Sequence, residues 1–359
     1  MRGHVDPQSH MFSYFSPEQR VPAKHPLRSI KAYTDSALKQ IRPVLDGIYS
    51  QIGRPSIPPE RLLKAQLLIA LYSVRSDRLF CETLDYNILL RWFLDMGLEE
   101  PSFDASTFSK NRERLAAEDV ALRFFDAVVR EARALELLSD EHFSVDGTLI
   151  EAWASMKSFR PKDGGGSGPD AGGDRNFKGE RRRNDTHAST TDPEAKLLRK
   201  ALGKEAKLCF AGHALMDNRY GLISDVCLTP SVGVTESEAA LGLVARQRRK
   251  RLRPKSVGGD KGYHTQRFVS GLLQKGTAAH VAYMEARNVG LGEGVLESSG
   301  YRASQIVRKR IEQFFGWGKS VGGLRKTKLR GVRRNKQLMC LTGLAYNLLR
   351  ISRMCPTTG

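Results

Sequence analysis

Cysteine is scarce and scattered in the 359 residues. Cys81, Cys209, Cys227, Cys340 and Cys355 stand alone, with no CxxC or Cys/His spacing among them. That excludes a zinc ribbon, a zinc finger and a disulfide scaffold, and an odd number in a long basic chain points to a reducing compartment. No apolar run approaches the roughly 18 residues of a membrane span. The opening MRGHVDPQSHMFSYFSPEQR lacks the apolar core of a signal peptide. No internal repeat is visible. Acids are also short: 39 Asp and Glu face 58 Lys and Arg, a net charge of +19. An enzyme for small metabolites has no use for that imbalance, whereas phosphate-rich polyanions attract it irrespective of sequence. The charge identifies a partner and leaves the activity open, since a plain nucleic-acid binder would show it too.

Hydrophobic content of 40% and charged content of 27% are those of a globular protein, and the length allows about two domains. Residues 1–45 are polar and contain Pro22 and Pro26, which reads as an extended arm. Residues 46–137 read as a small all-α domain. PPERLLKAQLLIALYSV opens on two prolines and then places Leu62, Leu63, Leu67, Leu68 and Leu71 on one broad face. YNILLRWFLDMGL and VALRFFDAVVREARAL are amphipathic as well. Between them DASTFSKNRERL starts on good caps and then presents Ser109, Lys110, Arg112 and Arg114. A helix-turn-helix reader and a plain bundle with a polar face both fit this pattern. Residues 138–353 change to strand, hairpin, helix, strand, helix, strand, helix, a mixed α/β arrangement. The hairpin turns at Asn218-Arg219-Tyr220-Gly221. A Gly-rich, then basic stretch at about 157–205 reads as a flexible insertion, whose second half, Arg181–Lys196, is a candidate for ordering on DNA. Residues 354–359 form a tail.

One acid, Glu312, stands between Ile306 and Lys336 among eleven basic residues, including Arg308, Lys319, Arg325, Lys326 and Lys328. A surface made only to grip phosphate gains nothing from a carboxylate. On a helix from about Arg302 to Phe315, Gln305, Arg308, Glu312 and Lys319 lie along one stripe, with Gly316 and Gly318 as possible early stops. A carboxylate there tolerates phosphate if a cation stands between them, and Mg²⁺ prefers such hard oxygen ligands. An Arg308–Glu312 salt bridge, worth about 0.3–0.5 kcal/mol, explains the spacing equally well. Two further acids lie where α/β sheets gather ligands, at strand ends: Asp146 in SVDGT and Asp260 after the paired glycines of GGDKGY, which allow close approach. Glu151 is a reserve candidate. His264 suits a cap or a DNA contact, Trp153 and Trp317 suit core packing, and Asp217 and Asp225 suit structural roles. Thr186, His187 and Asp192 carry no assignable role beyond a DNA contact.

FSYFSPEQRVPAKHPLRSIK, IPPERLLKAQLLIALYSVRSDRLFCETLDYNILLRWFL, STFSKNRERL, HFSVDGTLIEAWASMKSF, GGDKGYH and RKRIEQFFGWGK occur in that order. Together they resemble bacterial insertion-sequence transposases of the IS-five group, over nearly the whole chain from about Phe12 to Arg350. The resemblance implies a ribonuclease-H-like α/β catalytic domain, a mixed sheet flanked by helices, behind the helical N-terminal domain. It implies an acidic triad of Asp146, Asp260 and Glu312, holding two Mg²⁺ ions for phosphoryl transfer, with Mn²⁺ able to substitute. Arg308 and Lys319 match the family's Tyr-Arg-Glu-Lys signature, while Gln305 stands where the tyrosine belongs. DNA contacts are implied at Arg308, Lys319 and Gln305, and expected at Lys110, Arg112, Arg325, Lys326 and Lys328. The implied partners are double-stranded DNA, both terminal inverted repeats and target, and further copies of the chain in a dimer or larger synaptic assembly. No membrane and no nucleotide cofactor is implied, and the location is the bacterial cytoplasm, with the nucleoid. A ribonuclease-H-like nuclease without strand transfer, and an inactive DNA-binding remnant, are the alternatives.

Overall fold

The computed structural model describes residues 16–50, 52, 56–162, 182–199, 203 and 205–356. The Gly-rich half of the expected insertion and the first fifteen residues of the expected arm lie outside them.

The arm is largely helical rather than extended. After α1 (Pro17–Arg20), α2 runs from Pro26 to Ile48. Pro26 takes the first helical position, where its missing N–H costs nothing, and the His25 ring nitrogen accepts the Leu27 N–H at 3.2 Å. Leu27, Ile30, Ala37, Leu38, Ile41 and Leu45 then bury one stripe. The polar residues that suggested an arm form the other side of this helix. Helices α3 (Pro59–Leu71), α4 (Asp77–Leu84), α5 (Ile88–Phe93), α6 (Ala105–Ala117) and α7 (Val120–Ala134) follow.

The α/β part begins with β1 (His142–Glu151). Inside the expected flexible insertion, β2 (Phe159–Pro161) and β3 (His187–Ser189) pair as a two-stranded ribbon, and β4 (Lys196–Arg199) joins the main sheet. Next come β5 (Ala206–Asp217), β6 (Ile223–Pro230), α8 (Glu236–Arg249), β7 (Ser256–Gly259), α9 (Gln266–Leu273) and β8 (Ala278–Val281). The main sheet has the order β4-β5-β1-β7-β8, with β6 also on β5. β1 is antiparallel to β5 and parallel to β7, and β7 is parallel to β8. An antiparallel meander continued by parallel crossovers is the ribonuclease-H-like arrangement the resemblance implied. At the β5–β6 turn Gly221 has φ +70°, and a Cβ there would also meet the Arg350 guanidinium at 2.9 Å.

The expected single helix over 302–315 is two, α10 (Ser299–Val307) and α11 (Arg310–Ser320). The break falls at Arg308–Lys309, where the Glu312 N–H reaches back only to the Lys309 carbonyl, at 3.1 Å. The halves seat on different surfaces. α10 lays Ser304 over Gly258, whereas α11 drives Ile311, Phe314 and Phe315 into the core. Gly316 and Gly318 do not end α11, so Lys319 stays on the helix.

Phe143, Val145, Val257 and Val281 pack one sheet face against α8 and α9. The other face shares a core with α11, with α12 (Val332–Met354) and with the N-terminal helices. α12 is buried almost all round, as a helix enclosed by sheet and helices must be. Its Asn347 accepts the Ile223 N–H at 2.8 Å and donates to the Ile223 carbonyl at 2.7 Å, so an amide side chain completes the end of β6. Asn347→Leu orphans both buried backbone groups, each worth about 1–3 kcal/mol. A loss of about 2–4 kcal/mol in urea-unfolding free energy is expected, and a loss below the error of that measurement would contradict this role for the amide.

Candidate active site

Parallel pairing of β1 with β7, Ser144 opposite Gly258, delivers Asp146 and Asp260 to the same end of the sheet. The close approach allowed by the paired glycines is taken up by protein. A Cβ at Gly258 would lie 3.0 Å from the Ser304 hydroxyl, and one at Gly259 would lie 3.0 Å from the Tyr263 ring. Asp260 caps the short 3₁₀ turn Lys261–Tyr263, its carboxylate accepting the Gly262 N–H at 2.7 Å. Asp146 is half-buried and accepts the Gly147 N–H at 2.8 Å. Burial chiefly pushes its carboxyl up to about 6. The Gly147 N–H opposes that rise, while the negative charges of Asp260, Glu236 and Glu312 add to it. Glu312 occupies the exposed first turn of α11, the end of a helix where a carboxylate is favoured.

Glu236 has no place in the sequence motifs. It opens α8, while its neighbour Glu238 forms the capping box with Thr235. The residue is exposed, yet its carboxyl turns toward the sheet, one oxygen lying 3.3 Å from where a Cβ on Gly147 would stand. Burial first, and then Asp260, raise its pKa. TESEAA reads as an ordinary helix start, and only the crossover from β6 brings it over β1, so no local signal could have marked it.

Four carboxylates thus border one end of the sheet. Their hard oxygens fit a divalent cation of the Mg²⁺ class. Among the described residues no three His, Cys, Asp or Glu side chains converge closely enough to grip an ion as they stand. Asp260 is exposed, and the Glu236 carboxyl already turns toward the sheet.

The basic residues divide. Arg308 Nε donates to Gln305 Oε1 at 3.2 Å, and Gln305 in turn donates to the His280 carbonyl at 2.7 Å, which ties that pair to the end of β8. Arg112 is held by Asp77 at 2.6 and 2.8 Å, so an expected DNA contact is already engaged inside the helical part. Lys110 and Arg325 are exposed and Lys319 is half-buried. Lys326 pairs with Glu151 at 3.2 Å, and Lys328 donates to the Arg75 carbonyl. Glu151 also meets Lys207 at 3.2 Å, so the reserve ligand is committed to two lysines.

His264 is neither a cap nor an exposed contact. It is buried, with Nδ1 accepting the Met284 N–H at 3.0 Å and Nε2 2.8 Å from the Val289 carbonyl. Trp317 packs on the core as expected, but Trp153 is 47% exposed. Asp192 is buried and accepts the Gly331 N–H ahead of α12 at 3.0 Å.

Residues 139–348 match the family described as "Transposase DDE domain", and residues 15–114 match "Transposase domain (DUF772)". No curated protein matches the chain. Among solved structures, a piggyBac transposase synaptic complex with hairpin DNA is similar at 11% identity and a TM-score of 0.41, over 96% of this chain and 79% of that one. A Mos1 transposase paired-end complex gives 12% identity and a TM-score of 0.20, over 89% and 98% respectively.

Proposed function

The chain belongs to the transposases with a DDE domain, DNA polynucleotidyl transferases that depend on divalent metal, and from that premise we propose that Asp146, Asp260 and Glu312 are its catalytic triad. The carrying observation is the half-buried Asp146 carboxyl, held up by burial and by the charges of acids from three other elements. A carboxyl raised in this way beside other acids is a mark of functional sites. The triad would hold two Mg²⁺ ions, replaceable by Mn²⁺, and bound cations of this kind supply charge stabilisation at the attacking and leaving oxygens of a phosphodiester.

The chain's own residues supply placement. β1 and β7 fix Asp146 and Asp260 on a rigid sheet. α11, anchored by Phe314 and Phe315, presents Glu312. Exposed Arg325 and Lys110, with Arg308 and Lys319, would contact the DNA backbone, which positions a duplex without reading its bases. The helical part ahead of the sheet would recognise the terminal inverted repeats of an element of the IS-five group, and two or more copies would pair the ends. The place of action would be the bacterial nucleoid. No helix among the described residues is long and apolar enough to cross a membrane.

The test is incubation with a labelled element end and Mg²⁺, separating cleaved from joined products on a gel. Both products are expected. Hydrolysis without joining of pre-cut ends would leave a nuclease, and DNA binding with neither product would leave a binder. Glu312→Gln should abolish both products while end binding, read by gel shift, stays within about twofold, because the triad touches few of the phosphates that dominate affinity. Cleavage surviving in that variant would remove Glu312 from the triad.

A further inference from the structure

Glu236 is charged, turned inward and unused. Among the described residues it has no hydrogen bond or ion pair, and the capping task of its helix falls to Glu238. The surroundings hold two buried polar atoms without partners, although the other ring nitrogen of His213 meets the Thr229 hydroxyl at 3.2 Å. His213, 1% exposed, lies opposite Gly147 on β5, and its Nδ1 makes no hydrogen bond. That nitrogen is 3.1 Å from the point where a Gly147 Cβ would stand, the same point that the Glu236 oxygen approaches to 3.3 Å. Tyr263, also 1% exposed, has an unpartnered hydroxyl. Its phenol is pushed well up, first by burial and then by Glu236, Asp146 and Asp260 in that order. Native interiors seldom leave buried polar atoms unmatched, and such atoms cluster where an ion or water completes the set.

Resting on the triad reading above, we propose that Glu236 is a fourth carboxylate of the cation site. Gly147 and His213 lie on the α8 face of the sheet and Asp146 on the opposite one, so Glu236 binds the divalent ion together with Asp146 and Asp260 past the end of β7, reaching it from the α8 side. His213 Nδ1, beside the same point as the Glu236 oxygen, is positioned to hydrogen-bond the carboxylate or a water beside it. Glu236 differs from Glu312 in its mounting: it stands on α8, packed against the sheet, whereas Glu312 rides on α11, beyond the break at Arg308–Lys309.

The experiment is Mn²⁺ binding to the full chain without DNA, read by the loss of free-ion electron paramagnetic resonance signal. Wild type, Asp146→Asn, Glu236→Gln, Gly147→Ala and, as a control on the same helix turn, Glu238→Gln are compared. Glu236→Gln is expected to weaken Mn²⁺ binding at least about tenfold, a scale seen when groups supporting a metal site are removed, while Glu238→Gln binds as wild type. Gly147→Ala keeps the carboxylate but crowds it, and should weaken binding in the same direction. Wild-type affinity in Glu236→Gln, alongside weakened binding in Asp146→Asn, overturns the fourth-ligand proposal alone. No binding by wild type, or none lost in Asp146→Asn, overturns the triad reading with it. Because lost binding could also come from lost fold, melting of each variant in chelator is measured in parallel. A Glu236→Gln chain that melts well below wild type there, and whose binding returns on cooling into its folded range, also refutes the proposal.

Discussion

Asp146→Asn is expected to abolish metal-dependent strand cleavage and, in chelator at pH 7, to make the chain harder to unfold by about 2–3 kcal/mol. The first effect follows from removing a carboxylate asked to hold charge-stabilising cations. Several kcal/mol of barrier at 1.36 kcal/mol per decade is about a thousandfold or more in rate. The second follows from the raised carboxyl. Unfolded, it titrates near 3.8; folded, at about 6. Between those values the folded chain holds a proton that the unfolded chain has released. Stability therefore falls as pH rises through that window, and the full penalty is present at pH 7. About two pKa units at 1.36 kcal/mol each, trimmed because the residue is only half-buried, gives the figure quoted. Asparagine cannot ionise, so the variant's stability should lose this slope between pH 4 and 6 and converge with wild type below it. Urea unfolding across that range in chelator is the measurement. Equal stability at pH 7 would mean that Asp146 is not held up by its neighbours.

The second large effect concerns a charge with no part in the chemistry. Asp225, on β6, is fully buried and receives Arg246 Nε and Nη2 from α8, each at 2.9 Å, with Gln247 Nε2 at 3.0 Å. Such a pair owes little net stability to being charged, but breaking one half leaves an uncompensated buried ion, typically at a cost of about 3–5 kcal/mol. Arg246→Met should fall near about 3 kcal/mol, the low end, because Lys250 remains 3.9 Å from the carboxylate. The double variant Asp225→Leu, Arg246→Met should recover part of the loss. If the double variant is as unstable as the sum of its single changes, the two residues are not coupled and the account of this contact fails. The pair joins α8 to the sheet, so the damage should extend to Glu236 and to Mn²⁺ affinity.

Much of this was legible before any coordinates. Strand character over His142–Ile150 and the Asn218–Gly221 turn revealed the succession of strands and helices along the chain, because each is a local pattern with a local cause, whereas the pairing order of the strands came only from the fold. What escaped was set by distance in the chain. Pro22 and Pro26 suggested an extended arm, yet Pro26 starts a helix whose stripe from Leu27 to Leu45 finds its partner in α7, far along the sequence. The regular spacing of Gln305, Arg308 and Glu312 concealed a break, since what bends the chain at Lys309 is the difference between the surfaces under α10 and α11. Arg112 looked available until Asp77 was seen to hold it. Glu236 became visible only once the β6–α8 crossover had carried it over Gly147.

Helix α12 carries a further implication for the protein's life as a gene product. It is wedged between β6 on one side and α2, α3 and α7 on the other, so the halves that precede it share a single keystone. A frameshift or stop ahead of Val332 would therefore not yield a trimmed catalytic piece or a freestanding helical fragment able to compete with the intact enzyme. It would yield a chain with apolar surface bared on both halves at once, a substrate for chaperones and proteases rather than a dominant inhibitor of its own element.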